Sequence, residues 1–347
     1  MADINLRAVE KHFDGVPALH AISATFQDGE FVALLGPSGC GKSTLLRLIA
    51  GFEMPSAGAI AIGATEMSNG QTGHNVPPEE RNIGFVFQSY ALWPHMTVRR
   101  NVSYPLEVRR TNKATLREQT DAALSATSLI PYADRMPSEL SGGQRQRVAL
   151  ARCLVSNPNA VLLDEPLANL DVALRASMQD VFSDFHRRTG ATMVYVTHDQ
   201  SEAMAMADRI AVMSEGRIVQ FDTPQALYAQ PRSRFVAGFV GEGTVLPISE
   251  VARDDACVTA KLFGAKIAIQ TDSPNPDLIC LRPENIEISE TGDIRAIVQR
   301  STYLGGRYRL TLEASSGAQL IAESRAHFPV GTQLGVSVHA PWAFAET

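Results

Sequence analysis

The stretch Gly36-Pro37-Ser38-Gly39-Cys40-Gly41-Lys42-Ser43-Thr44 decides the fold. It is a complete phosphate-binding loop of the form G-x-x-x-x-G-K-[ST]. Its glycines let successive backbone N–H groups converge on phosphate oxygens. Lys42 reaches the β- and γ-phosphates as a mobile point charge, and Ser43 offers a hydroxyl to Mg²⁺. The flanks agree. Glu30-Phe31-Val32-Ala33-Leu34-Leu35 reads as a buried strand entering the loop, and Thr44 to Ala50 as the helix whose positive N-terminus faces the phosphates.

Farther out, residues 1 to about 235 alternate short apolar strands with amphipathic helices, the pattern of an α/β domain with a mainly parallel core sheet. Strands are expected at 31–35, 83–87, 160–163, 192–197 and 209–213. Leu174, Met178, Val181, Phe182 and Phe185 recur at helical spacing, in a helix ending near Gly190. From about 89 to 155 no buried strand is evident and a helical insertion is expected. After about 240, short segments alternate apolar and polar residues, as in Tyr308-Arg309-Leu310-Thr311-Leu312. A small all-β domain of OB-like, barrel type is expected there. The predicted division is 1–238 and 239–347.

Composition sets bounds. The chain has 347 residues, with 31 Lys plus Arg against 37 Asp plus Glu, a net charge of −6 that argues against a general nucleic-acid binder. No apolar run reaches the ~18 residues of a spanning helix, and the first residues do not read as a secretory signal. Cys40, Cys153, Cys257 and Cys280 show no metal-ligand spacing and are expected to be free buried thiols of a reducing compartment.

Two further motifs bear on chemistry. Val161-Leu162-Leu163-Asp164-Glu165-Pro166 is an apolar strand ending in two carboxylates. Asp164 is placed beside the loop to hold Mg²⁺, and Glu165 to orient or deprotonate the attacking water. Leu140-Ser141-Gly142-Gly143-Gln144 supplies a helix cap at Ser141 and, at Gly142 and Gly143, N–H groups exposed to an anion. Alone, it reads first as an ordinary Ser-Gly cap.

Together and in this order, the loop at 36–44, Leu140–Gln144, Val161–Asp164 and the following Glu165 resemble the ATP-binding-cassette (ABC) ATPases. That resemblance implies an α/β P-loop NTPase core with a helical insertion and assigns more residues. Gln88, after Ile83-Gly84-Phe85-Val86-Phe87, matches the glutamine of the Q-loop, a ligand for Mg²⁺ and the water. Asp171 matches the D-loop, and also reads as the N-cap of the helix from Val172. His198 matches the switch histidine that hydrogen-bonds the γ-phosphate. Phe13 matches the aromatic that stacks on adenine, often Tyr in this family. On pattern alone, Gln88 and His198 would read as surface residues.

The resemblance also implies a homodimer with each ATP held between the phosphate loop of one subunit and Ser141–Gln144 of the other. The cassette followed by a β domain is similar to the ATPases of bacterial solute importers with a TOBE domain, and Leu281-Arg282-Pro283-Glu284-Asn285-Ile286 is similar to a segment of that domain. This implies ATP and Mg²⁺ as ligands, two membrane permease subunits, an external solute-binding protein, no nucleic acid, and a place on the cytoplasmic face of the inner membrane. Phe239-Val240-Gly241-Glu242-Gly243-Thr244 resembles ferric-iron or polyamine importers more than sugar importers, and ferric iron is the expected cargo, with polyamine, phosphonate, sulfate or sugar as the others. A non-transport cytosolic ABC ATPase and a regulatory ATP-binding module are the alternatives. The single compact cassette argues against the first, and Glu165 with His198 against the second.

Overall fold

The computed structural model describes residues 2–168, 170, 172–254, 257–289 and 291–346. The chain divides into two compact units, residues 1–224 and 225–347.

The first unit is built on two sheets. β1 (Ile4–Phe13), β2 (Val16–Phe26), β4 (Ala57–Ile62), β5 (Thr65–Asn69) and β6 (His74–Asn75) form an antiparallel sheet in the order β2-β1-β4-β5-β6. In the second sheet, β3 (Phe31–Leu35), β7 (Ile83–Val86), β8 (Ala160–Asp164), β9 (Thr192–Thr197) and β10 (Arg209–Ser214) run parallel. An antiparallel edge strand, β11 (Arg217–Asp222), completes the order β11-β10-β3-β9-β8-β7. The central strands are apolar without alternation because both faces are covered. On one face α1 (Lys42–Ala50) lies between the sheets, its Leu45, Leu46, Leu48 and Ile49 packed with Ile4, Phe26 and Ile60 on one side and Val32, Leu162 and Val194 on the other. On the opposite face Phe31, Leu163 and Tyr195 meet Ala149 and Leu150 of α4 (Gly142–Leu154) and Met178, Phe182 and Phe185 of α5 (Val172–Thr189).

The expected helical insertion contains α2 (Val98–Val108), α3 (Lys113–Ala126) and α4, with a core of its own around Val98, Val102, Leu124, Val148 and Ala151. The helix capped by Ser141 begins at Gly142. The N-terminal antiparallel sheet was not legible as such. Ala8 adopts φ +46 and the β1–β2 register shifts between Leu6 and Val9, so buried Leu6 and Val9 fall out of the two-residue period of a strand.

A fully buried cation braces this unit. Arg81 Nη1 donates to the carbonyls of Leu48 and Ile49 at the C-terminal end of α1, at 3.0 and 2.9 Å. Nε donates to Val76 O, and Nη2 to Met67 O, Ser68 Oγ and Asn75 Oδ1. All six acceptors are neutral, and two of them, the carbonyls of Leu48 and Ile49, lie at the negative pole of α1. Burial pulls the Arg81 pKa down to about 10, which leaves the group charged at neutral pH.

The second unit is β-rich, with sheets ordered β12-β16-β22, β13-β14-β15 and β17-β21-β18-β19-β20. These are β12 (Thr244–Pro247), β13 (Ser249–Arg253), β14 (Val258–Leu262), β15 (Ala265–Ile269), β16 (Leu278–Leu281), β17 (Ile286–Ser289), β18 (Ile294–Tyr303), β19 (Tyr308–Ala314), β20 (Gln319–Ser324), β21 (Gln333–Val338) and β22 (Trp342–Phe344). One core serves them, including Leu246, Leu262, Ile279, Val298, Leu312 and Val336. In β19 Leu310, Leu312 and Ala314 are buried in strict alternation, as read from the sequence.

The division falls earlier than the expected 238/239. Ala237, in α8 (Arg234–Phe239), packs with Leu278, Cys280 and Phe344, so α8 shares a core with the strands that follow it. Arg282 fixes this arrangement. Nearly buried, it donates to the carbonyls of Tyr228, Ala237 and Val240, and its guanidinium lies 4.3 Å from the Tyr228 ring centroid. Tyr228 in turn donates to Glu284 at 2.7 Å. Of the four cysteines, Cys40, Cys153 and Cys280 are buried as expected, and Cys257 is exposed.

Candidate nucleotide-binding site

The phosphate loop leaves β3 and enters α1, as the sequence implies. Two glycines in it are sterically required. Gly41, the residue before α1, sits at φ +102, and a Cβ there would lie 2.6 Å from the Leu19 side chain. A Cβ on Gly36 would lie 2.2 Å from the carbonyl oxygen of Met213. Lys42 is buried, its ammonium donating to the carbonyls of Gly36 and Pro37 at 2.7 and 2.9 Å. A phosphate oxygen entering the loop would exchange with these acceptors.

Strand order brings the other groups to the same edge. β9 and β8 follow β3 in the parallel sheet, so the residues at their C-terminal ends emerge beside the loop. Ser43 Oγ donates to Asp164 Oδ1 at 2.8 Å. A hydroxyl and a carboxylate side by side are hard oxygen donors of the type Mg²⁺ takes, with phosphate oxygens supplying the rest. Among the described residues no group of three His, Cys, Asp or Glu side chains could hold a metal alone.

Glu165 follows at φ +44, a left-handed conformation that costs a non-glycine residue of order 1 kcal/mol. Its N–H donates to Val196 O at 3.1 Å, which ties the turn to β9. Its Oε1 lies 3.5 Å from Nδ1 of His198, a residue with a half-exposed side chain just past β9.

Below His198 is a polar cluster that the motifs did not reveal. Glu202 is buried, and its Oε2 accepts from Tyr195 at 2.8 Å and from Thr197 at 2.7 Å. Arg175 bonds Asp199 at 2.9 Å and places Nε 3.6 Å from Glu202 Oε1. Burial, then the Glu202 carboxylate, pushes the Tyr195 hydroxyl well above its ordinary pKa. Burial by itself would raise the Asp199 carboxyl, but hydrogen bonds from Ser201 and the Glu202 N–H, with Arg175 beside it, bring it below the usual range. Arg175 and Glu202 lack a local sequence signal, because their partners lie on different elements.

Phe13 ends β1 and pairs with Val16 across the turn at Asp14-Gly15. Both side chains are exposed, and Lys11 Nζ lies 4.8 Å from the Phe13 ring centroid. Val16, which sequence reasoning missed, widens this apolar platform. Gln88 is exposed in the segment after β7. That segment is anchored to α4 by Arg152, which donates to the carbonyls of Tyr90 and Ala91 at 2.9 and 2.6 Å. Ser141 caps α4 as expected, in a reciprocal pair with Gln144 at 3.3 and 2.8 Å. Among the described residues no hydrogen bond or ion pair joins Ser141, Gly142, Gly143 or Gln144 to the phosphate loop. Asp171 lies outside the described residues.

Residues 19–168 match the ABC transporter family and residues 279–345 the TOBE domain. The spermidine/putrescine import ATP-binding protein PotA 2 of Pseudomonas aeruginosa is 41% identical, over 98% of this chain and 96% of its own. The chain belongs to the ABC transporter ATP-binding subunits. The sn-glycerol-3-phosphate import ATP-binding protein UgpC of Paracoccus denitrificans is 45% identical over 84% of this chain and 81% of its own. Among solved structures, cbiO1 of Clostridium perfringens, part of the ABC transporter complex cbiONQ, matches with a TM-score of 0.60 at 29% identity. It covers 65% of this chain and 90% of that one. A dimeric post-hydrolysis state of the cassette MJ0796 bound to ADP and Pi matches with a TM-score of 0.55 at 30% identity, covering 64% and 98%. This ABC subunit is thus an ATPase of the importer type with a TOBE domain. No helix among the described residues is long and apolar enough to cross a membrane.

Proposed function

We propose that this ATPase works as a homodimer on the cytoplasmic face of the membrane, energising polyamine uptake through two permease subunits that an external solute-binding protein supplies. The observation that carries the hydrolytic part is the meeting of Ser43 with Asp164, and of Glu165 with His198, at the ends of neighbouring parallel strands.

In this reading Phe13 and Val16 stack on adenine, and the N–H groups of residues 36–44 with Lys42 hold the phosphates. Ser43, Asp164 and Gln88 would hold Mg²⁺, which neutralises charge on the β- and γ-phosphates when bound. Glu165 takes the proton of the attacking water, whose oxygen bonds to the γ-phosphorus as the bond to the ADP oxygen breaks. His198 holds a γ-phosphate oxygen. Ser141, Gly142, Gly143 and Gln144 of the partner subunit would close over that phosphate, with Asp171 at the crossing.

A groove lined by Phe85, Phe87, Ala91, Trp93, Pro105 and Val108 beside Gln88 supports docking of a permease segment on the helical insertion. Polyamine is put first because the spermidine/putrescine relative at 41% identity spans 98% of this chain, and glycerol-3-phosphate is the second cargo because a relative named for it is also 41% identical, over 95%. The ferric iron expected from residues 239–244 finds no counterpart in the names of the relatives described above. The test is uptake of labelled putrescine, glycerol-3-phosphate and ferric iron by cells with and without this gene. Loss of putrescine uptake alone supports the reading. Loss of either other uptake, with putrescine unaffected, replaces the cargo.

Lys42→Ala is expected to lower ATP affinity at least about tenfold, since a charge-assisted contact of roughly 1.5–3 kcal/mol is lost. Titration calorimetry with an unchanged dissociation constant would contradict the loop assignment. The domain division gives a second expectation. A chain ending at Pro224 should fold and hydrolyse ATP at concentrations high enough for dimerisation, because Phe13 through His198 all lie within the first unit. If it binds ATP but never turns it over, the second unit takes part in catalysis.

A further inference from the structure

Three residues in sequence, Thr197, His198 and Asp199, carry the histidine, and both neighbours are pinned from the same side. The Thr197 hydroxyl donates to Glu202 and accepts from the Asp199 N–H at 3.0 Å, so it closes the backbone around His198. Asp199 Oδ1 accepts from the N–H groups of Ser201 and Glu202 at the start of α6 (Gln200–Met206), while its Oδ2 faces Arg175. Arg175 reaches in three directions. Nη1 bonds Asp199, Nε faces Glu202, and Nη2 lies 3.5 Å from the carbonyl oxygen of Leu170. Glu165, Ala168, Arg175, His198, Asp199 and Glu202 share the lining of one small cavity.

We infer that Arg175 is a positioning residue, which ties the backbone at Leu170 to the Thr197–Asp199 loop and so sets His198 against Glu165. The inference rests on reading Glu165 and His198 as the hydrolytic pair. The physical basis is the guanidinium itself. Its rigid planar fork hydrogen-bonds Asp199 and the Leu170 carbonyl and sets its charge 3.6 Å from Glu202, which constrains the relative position of the segments carrying these three groups. A lysine ammonium in its place could hold one carboxylate but not span all three. Glu202 is the matching half, since its buried charge is offset by Arg175 and its other oxygen fixes Thr197. Leu170 lies one residue before Asp171, so displacement of that segment by a partner subunit would reach the histidine through one side chain.

The test is steady-state ATP hydrolysis by the full chain in a double-mutant cycle with His198. Arg175→Met is expected to lower kcat about 10- to 100-fold, as a misplaced catalytic group does, while KM for ATP stays within about twofold. In a His198→Ala background the same substitution should change kcat by less than about twofold, because the group it positions is gone. Should Arg175→Met fail to fold, Glu202→Gln is read in the same cycle. Its amide oxygen still accepts from Tyr195 and Thr197, while an uncharged N–H₂ donor replaces the carboxylate oxygen facing Arg175. An equal loss in both backgrounds would mean a merely structural role and would overturn the inference. Wild-type kcat in Arg175→Met with lowered kcat in His198→Ala overturns the inference alone. Wild-type kcat in His198→Ala overturns the hydrolytic reading and takes the inference with it.

Discussion

Glu165→Gln is expected to bind ATP with wild-type affinity and to lose turnover by about 10²- to 10⁴-fold, the usual contribution of a positioned base. Glutamine matches glutamate in size, so the turn after β8 and the Val196 contact survive. What disappears is the carboxylate whose oxygen lies 3.5 Å from Nδ1 of His198. Lys42 and the Ser43–Asp164 pair are untouched. With binding intact and hydrolysis blocked, ATP should hold two chains together, seen as a dimer in size-exclusion chromatography with ATP and as monomer with ADP. Phosphate release measured beside nucleotide binding checks both halves. Turnover within tenfold of wild type would remove Glu165 from the role of base. The left-handed backbone at Glu165 sharpens the expectation. A strained residue persists only where its surroundings over-determine it, and here the Val196 carbonyl holds the turn from the neighbouring strand.

The second large effect concerns stability. Arg81→Met should destabilise the first unit by about 3–5 kcal/mol, since each buried neutral acceptor left unsatisfied costs about 1–3 kcal/mol. Methionine fills much of the volume but takes the Arg81 donors from the carbonyls of Ile49 and Val76 and from Ser68 Oγ and Asn75 Oδ1, while Leu48 O and Met67 O keep backbone donors at Gly51 and Val76. Arg81→Lys should fall between the two, since three donors cannot meet six acceptors. Trp93 lies in the first unit and Trp342 in the second, so a Trp342→Phe background lets Trp93 emission follow the first unit alone during urea unfolding. A midpoint shift equivalent to less than about 1 kcal/mol would show that other groups brace the end of α1.

Legibility in the sequence tracked the range of the interactions. The phosphate loop, the acidic end of β8 and the Ser-Gly cap of α4 are local, since each needs only the residues beside it. They were read correctly in place. Arg81, Arg175, Glu202 and Arg282 take their meaning from partners spread over 48–76, 170–202, 195–197 and 228–240, and no spacing announces such contacts. The antiparallel sheet at the N-terminus was hidden for a different reason. A bulge at Ala8 breaks the alternation that would have marked β1. Phe13 and Val16 show a third case. Two exposed apolar side chains flanking a tight turn cost little to place there, and only their pairing across β1 and β2 turns them into one surface.

The Arg282 clamp bears on how such subunits could exchange their C-terminal parts. Its guanidinium is satisfied by carbonyls from Tyr228, Ala237 and Val240, all upstream of the first strand of the β-rich unit. A chimera joined at residue 239 would take Arg282 from one parent and its acceptors at Tyr228 and Ala237 from another, with the ring of Tyr228 shaped by neither. A junction at 224/225 moves the cation, the stacked ring and the three carbonyls as one inheritable piece. Recombination between importers, natural or in the laboratory, should therefore tolerate crossovers ahead of Tyr228 and select against those between Tyr228 and Arg282.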